Sequence, residues 1–205
     1  MSEINTKKHF TVALAGNPNV GKSTVFNQLT GLKQHTGNWT GKTVETAKGS
    51  FIYNDAEFEI IDIPGTYSLM SSSEEERIAR DYLCFEKYDV CVLVADACAL
   101  EKSLNLIIQF LMTKRKAVLC VNLIDEAKKK GIEIDFDELS LQLGIPCIPT
   151  AARSKKGLLE LCYTIYNVCN ENKKQYIPQF AMHKAEEKLI DLTESALSDI
   201  PFDKR

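Results

Sequence analysis

Gly16-Asn17-Pro18-Asn19-Val20-Gly21-Lys22-Ser23-Thr24 is the stretch on which the reading of this chain turns. An apolar run over 10–15 precedes it, and Val25, Phe26 and Leu29 follow on the packed side of a helix ending near Gly31. The pattern G-x-x-x-x-G-K-[ST] between a strand and a helix is the signature of a phosphate-binding loop. Glycines let successive backbone N–H groups turn inward around an anion, and the helix N-terminus adds partial positive charge. Lys22 is expected to reach the β- and γ-phosphates, and Ser23 to place its hydroxyl on Mg²⁺. Asn17, Pro18, Asn19, Val20, Gly21 and Thr24 complete the loop around the nucleotide. This stretch implies a nucleoside triphosphate.

Outward from the loop, residues 32–42 are polar, carry Gly37, Gly41, His35 and Trp39, and fit neither the helix nor the strand period. They read as a long mobile loop. Strands are predicted over 43–53 and 57–62, joined by a turn at Asn54-Asp55, and so short a connection implies antiparallel pairing. Asp62-Ile63-Pro64-Gly65 ends the second strand. An acid leaving a strand beside a phosphate loop suits a direct or water-mediated role at Mg²⁺, and Gly65 offers an unobstructed N–H to a γ-phosphate. Residues 66–73 form a serine-rich loop. Glu74-Glu75-Glu76 then opens a helix through Phe85, where the helix dipole is sufficient reason for three acids.

Beyond residue 88, buried strands at 90–95, 117–121 and 145–148 alternate with helical stripes. The stripes are Leu104, Ile107, Ile108 and Leu111, then Leu139, Leu141 and Leu143 before Gly144, then Leu158, Leu161, Cys162 and Ile165 after Gly157. The predicted fold is α/β, a mostly parallel six-stranded sheet with one antiparallel strand and flanking helices, with ligands at the carboxyl ends of the strands. Asn122-Leu123-Ile124-Asp125 leaves one such end, where a base would lie. A carboxylate at Asp125 accepts from the ring N–H and exocyclic amine of guanine, whereas adenine leaves it unpaired at a cost of about 1–3 kcal/mol. Asn122 is expected to tie the base loop to the phosphate loop, and Ala151-Ala152-Arg153 to bring backbone N–H groups to the base. The simpler readings are helix capping for Asp125 and turn formation for Asn19.

The chain has 205 residues and a net charge of −3, which argues against broad binding to nucleic acid. Its apolar runs are broken by Asp96, by Glu101-Lys102 and by Asn122 and Asp125 before they could cross a bilayer, and Lys7, Lys8 and His9 do not open a secretory signal. A soluble cytoplasmic chain is expected. The 7 cysteines include no C-x-x-C and the 3 histidines are scattered, so reduced buried thiols are favoured over a metal site. Residues 170–174 read as a linker. Ala185, Leu189, Leu192 and Ala196 then make a helical stripe before Asp199-Ile200-Pro201. One such helix either docks on the first domain or starts a second one, and the expected division is 1–169 and 170–205, the latter a linker and the start of a helical domain.

The ordered set resembles the five motifs of a translation-factor-type GTPase and, more narrowly, the N-terminal cytoplasmic G domain of the FeoB family of ferrous iron transporters. The narrower likeness rests on Gly16-Asn17-Pro18-Asn19 and on Gly37-Asn38-Trp39-Thr40-Gly41-Lys42-Thr43-Val44-Glu45. Asp62-Ile63-Pro64-Gly65-Thr66-Tyr67-Ser68-Leu69 and Ser73-Glu74-Glu75-Glu76 continue it over about residues 10–168. The resemblance implies a P-loop NTPase of Ras-like G-domain fold, binding GTP or GDP with Mg²⁺, followed by a GDI-like helical domain. It also implies that Thr43 completes Mg²⁺ coordination with Ser23 and Asp62, that switch I spans about 32–45, and that switch II spans about 62–76. Asn19 matches the asparagine that holds K⁺ beside the α- and γ-phosphates in potassium-stimulated members, where the cation can take the place of an arginine finger.

There are two departures from the superfamily pattern. Leu123 replaces the lysine of N-K-x-D, which implies modest affinity and fast exchange. Thr66 stands where Ras-like enzymes carry glutamine, so no side chain is assigned as general base, and slow hydrolysis stimulated by K⁺ is expected. The implied role is a regulatory module for a C-terminal transmembrane part at the cytoplasmic face of a bacterial inner membrane. A free-standing GTPase acting on ribosomes or tRNA is the alternative, disfavoured by the acidic balance and the lack of an RNA-binding appendage. A P-loop kinase or ATPase would require Asp125 to be incidental.

Overall fold

The computed structural model describes residues 8–31, 34–38, 45–70 and 73–171. Its central element is β1 (Lys8–Gly16), whose apolar interior is flanked in parallel by β4 (Ala56–Asp62) and β5 (Val90–Asp96). Parallel pairing continues from β5 to β6 (Ala117–Asn122) and to β7 (Cys147–Pro149). On the other side, β3 (Glu45–Tyr53) runs antiparallel to β4, and β2 (Gln34–Asn38) runs antiparallel to β3. The sheet is seven-stranded in the order β2-β3-β4-β1-β5-β6-β7. All the expected strands are present, and β2 is the addition. Its residues, within the stretch read as a loop, carry no apolar alternation. They join the sheet by backbone pairing along β3, Gln34 opposite Gly49 and Asn38 opposite Glu45, which hydrophobic periodicity does not register.

Alternate residues of the buried strands feed two separate cores. Ala13, Ala15 and Leu93 pack with Ala79 and Leu83 of α2 (Glu74–Phe85) and Ile107 and Phe110 of α3 (Leu100–Leu111). Val12, Leu14 and Val92 pack with Val25 and Phe26 of α1 (Lys22–Thr30) and Leu161 and Ile165 of α6 (Leu158–Asn170). Complete burial of Phe110 or Leu161 stabilises the fold by about 1.5–3 kcal/mol each. At the start of α2 the Ser73 hydroxyl accepts from the Glu76 N–H at 3.2 Å. Together with the acids of the first turn, that cap accounts for where the helix begins.

Between β6 and β7 lie α4 (Ile124–Lys129) and α5 (Phe136–Leu143), the latter capped by Asp135 and ended by Gly144 at φ 68°. The short helix α4 does not stand out in the sequence. It begins directly after Leu123, a non-glycine residue at φ 63°. The parallel register aligns the strand ends, setting Leu14 opposite Asp62, Gly16 opposite Val94, Asp96 opposite Asn122 and Val121 opposite Pro149. The phosphate loop, the 62–65 stretch and the base loop therefore leave the same edge of the sheet, as the doubly wound topology requires. At the opposite edge, Lys116 Nζ donates to the carbonyls of Val168 and Glu171 at 2.9 and 2.7 Å and closes the end of α6. Thr43, Trp39 and the helical stripe predicted within 172–205 lie outside the described residues.

Candidate nucleotide site

The phosphate loop turns through left-handed backbone at Asn19 (φ 66°) and Gly21 (φ 82°) before α1 begins. Asparagine tolerates that conformation better than most residues, so Asn19 meets the requirement of the turn whatever else it does. Gly21 has a second constraint. A Cβ there would stand 2.4 Å from the Asn122 side-chain nitrogen, so only glycine allows the loop to lie on that amide.

Asn122 is fully buried and its amide is used on both sides. Nδ2 donates to the Val20 carbonyl at 3.2 Å, while Oδ1 accepts from Ala152 N at 3.0 Å and from the Thr150 hydroxyl at 3.3 Å. The phosphate loop and the loop after β7 are thus joined through one side chain. A second buried amide, Asn17, donates to the Lys102 carbonyl in the first turn of α3 at 2.8 Å.

Lys22 Nζ is paired with Asp62 Oδ1, and these side chains are only 12% and 18% exposed. Burial raises the Asp62 pKa above the ordinary carboxylate value, and the Lys22 ammonium works against that shift. The chain after Asp62 stays against β1: Ile63 N donates to Leu14 O at 2.9 Å and Thr66 N to Gly16 O at 3.2 Å. A Cβ on Gly65 would come within 3.2 Å of Pro18. Asn17 to Asn19 and Gly21 to Thr24 line a cavity of about 480 Å³, bounded also by Gly65 and Glu75. The structure therefore brings Lys22, Ser23 and Gly65 into one cleft. Glu75 also lines it, although the helix dipole was reason enough for that acid in the sequence. Thr66 is buried and its hydroxyl donates to Ser68 O at 2.7 Å, so that group is engaged in the local turn.

On the base side, Asp125 lies half-buried in the first turn of α4. The N–H groups of Ala151 and Ala152, expected at the base, are engaged internally with Lys156 O at 3.0 Å and Asn122 Oδ1 at 3.0 Å. Arg153 is the exposed member of that trio. A larger cavity of about 680 Å³ is lined by Ile124, Ile132, Ile134 and Phe136, among others. It contains none of the predicted phosphate or base residues.

Residues 10–165 match the FeoB_N family, ferrous iron transport protein B. The chain belongs to this family. It is 44% identical over 152 residues to an Fe(2+) transporter FeoB of Helicobacter pylori strain J99, a match covering 74% of this chain and 24% of that protein. The chain spans about a quarter of the length of the curated FeoB relatives it matches. Among solved structures, the G domain of the Thermotoga maritima FeoB iron transporter is 46% identical with TM-score 0.75, covering 79% of this chain and 99% of that one. The cytosolic domain of the same transporter in a GDP form is 43% identical with TM-score 0.84, covering 93% and 75%. The fold described above is that of a FeoB G domain, a GTP-binding module. Among the described residues no helix is long and apolar enough to cross a membrane.

Replacing Asn122 with alanine removes the joint between the two loops and leaves buried Val20 O and Ala152 N without partners. Asn122→Ala is expected to lower the unfolding free energy by about 2–3 kcal/mol in denaturant titration and to weaken nucleotide binding in fluorescence titration. Unchanged values on both counts would show that the amide carries neither role.

Proposed function

We propose that this chain is the GTP-hydrolysing switch domain of a ferrous iron transporter. The observation that carries the reading is the convergence of the phosphate loop, Gly65 and the base loop at one sheet edge, joined through Asn122. Membership of the FeoB family supports the same conclusion. In the cleft the Lys22 ammonium is balanced by Asp62. A bound triphosphate would give the Lys22 ammonium β- and γ-phosphate oxygens as partners. The hydroxyl of Ser23 and the carboxylate of Asp62 are hard oxygen donors suited to Mg²⁺, with Thr43 as the third candidate. When bound, the ion would neutralise charge building on the β–γ bridge.

Gly65 would offer its backbone N–H to the γ-phosphate, and Asp125 would select guanine over adenine. With the Thr66 hydroxyl engaged by Ser68 O, hydrolysis is expected to be slow. Asn19, with an amide oxygen at the turn of the phosphate loop, is our candidate ligand for an activating K⁺. We assign 1–169 to the G domain and 170–205 to a linker and the start of a GDI-like helical domain. The downstream partner would be a transmembrane part of the full-length protein at the cytoplasmic face of a bacterial inner membrane.

The guanine assignment is tested by Asp125→Asn, which replaces an acceptor with a donor facing position 2 of the base. GTP affinity should fall by about 10- to 100-fold while xanthosine triphosphate gains; unchanged GTP affinity would remove Asp125 as the base reader. Steady-state hydrolysis at matched ionic strength should be several-fold faster in K⁺ than in Na⁺. Equal rates would eliminate the cation at Asn19.

A further inference from the structure

The segment from Thr66 to Met70 is held to the body of the protein by polar contacts that the phosphate chemistry does not use. Gln109 Oε1, on α3, accepts from the Leu69 N–H at 2.6 Å and from the Ser68 hydroxyl at 2.9 Å. Its Nε2 donates to Asn105 Oδ1 at 3.1 Å, and Asn105 Nδ2 donates to the Tyr67 carbonyl at 3.1 Å. The two amides stand four residues apart on one helix face, where side chains meet. Their orientation follows from the partners. A flipped Gln109 would turn its N–H₂ against the Leu69 N–H. Leu69 packs against the core, but Tyr67 and Met70 are 52% and 88% exposed. Apolar burial alone therefore does little to hold this segment.

We infer that Gln109, steadied by Asn105, is a positioning residue that keeps Gly65 in place for the γ-phosphate and so favours triphosphate over diphosphate. The mechanical link is short. Ser68 is tied to Thr66 through the Thr66 hydroxyl at 2.7 Å, and Thr66 N is tied to Gly16 O at 3.2 Å. The other end of the same strut is also fixed, because Asn17 of the phosphate loop donates to Lys102 O in the first turn of α3 at 2.8 Å. From Lys102 to Gln109 the helix advances about 10 Å, so α3 sets the separation between the phosphate loop and the 67–69 backbone. With the segment preorganised, contact between the Gly65 N–H and a γ-phosphate carries little ordering cost. A diphosphate makes no such contact and is indifferent to it. The inference rests on the proposed guanine nucleotide site.

The test uses the full chain with Mg²⁺, titrating fluorescent GDP and a fluorescent non-hydrolysable GTP analogue. Gln109→Leu keeps the size and removes every hydrogen bond. Gln109→Glu keeps an acceptor for Leu69 N and the Ser68 hydroxyl. Losing two hydrogen bonds predicts that Gln109→Leu weakens the triphosphate analogue about tenfold. GDP should stay within about twofold, and hydrogen exchange at 66–70 should quicken. Gln109→Glu, whose second oxygen meets Asn105 Oδ1 in place of an N–H, should restore only part of the analogue's affinity. Equal loss of both nucleotides, or no loss of either, overturns the inference. Failure of the wild-type chain to bind any guanine nucleotide would instead bring down the site reading beneath it.

Discussion

The amide of Asn122 reaches from the end of β6 to the Val20 carbonyl on one side and to Ala152 N on the other, and the cleft depends on that span. A buried polar group is tolerable only when its partners are supplied, and a buried amide with partners on two loops fixes both at once. The arrangement also explains two features of the phosphate loop. Gly21 has no side chain because the amide nitrogen occupies the place of its Cβ. Val20 is turned into the core, with its carbonyl left to accept. The phosphate loop and the loop after β7 leave separate strands, yet neither can shift without breaking a hydrogen bond to the same amide.

Around that joint the site is organised by charge held out of water. Lys22 and Asp62 are paired at the mouth of the loop with little exposure, and either would be costly to bury alone. The pair therefore holds the Lys22 ammonium and the Asp62 carboxylate in place at the cleft. The α3 helix supplies the rest of the frame, bonded to Asn17 at its start and to the 67–69 backbone through Asn105 and Gln109.

Most of the fold was legible in the sequence because its strands are buried on both faces. Runs such as Val90 to Ala95 admit few other readings, and Gly31, Gly144 and Gly157 mark helix ends by backbone freedom while Ser73 marks one by its hydroxyl cap. The strand Gln34–Asn38 was hidden because an edge strand can be held by backbone pairing without an apolar pattern. The six residues of α4 are too few to show helical periodicity and begin after a leucine in a conformation usually left to glycine. At the site, the placement of the G-x-x-x-x-G-K-S pattern and of the Asn122-to-Asp125 stretch at the ends of β1 and β6 was readable from the apolar runs that precede them. The internal use of the Ala151 and Ala152 N–H groups and the pairing of Asn105 with Gln109 depend on partners distant in sequence. No local pattern could announce them.

The account stands or falls on whether the cleft discriminates guanine from adenine while holding a triphosphate. Displacement of a fluorescent guanine nucleotide from the chain, in Mg²⁺, by unlabelled GTP, GDP and ATP measures this directly. GTP and GDP should both displace it, with ATP ineffective even in large excess. Displacement by ATP at concentrations similar to GTP would contradict the assignment of Asp125 and, with it, the reading of this chain as a guanine-nucleotide switch.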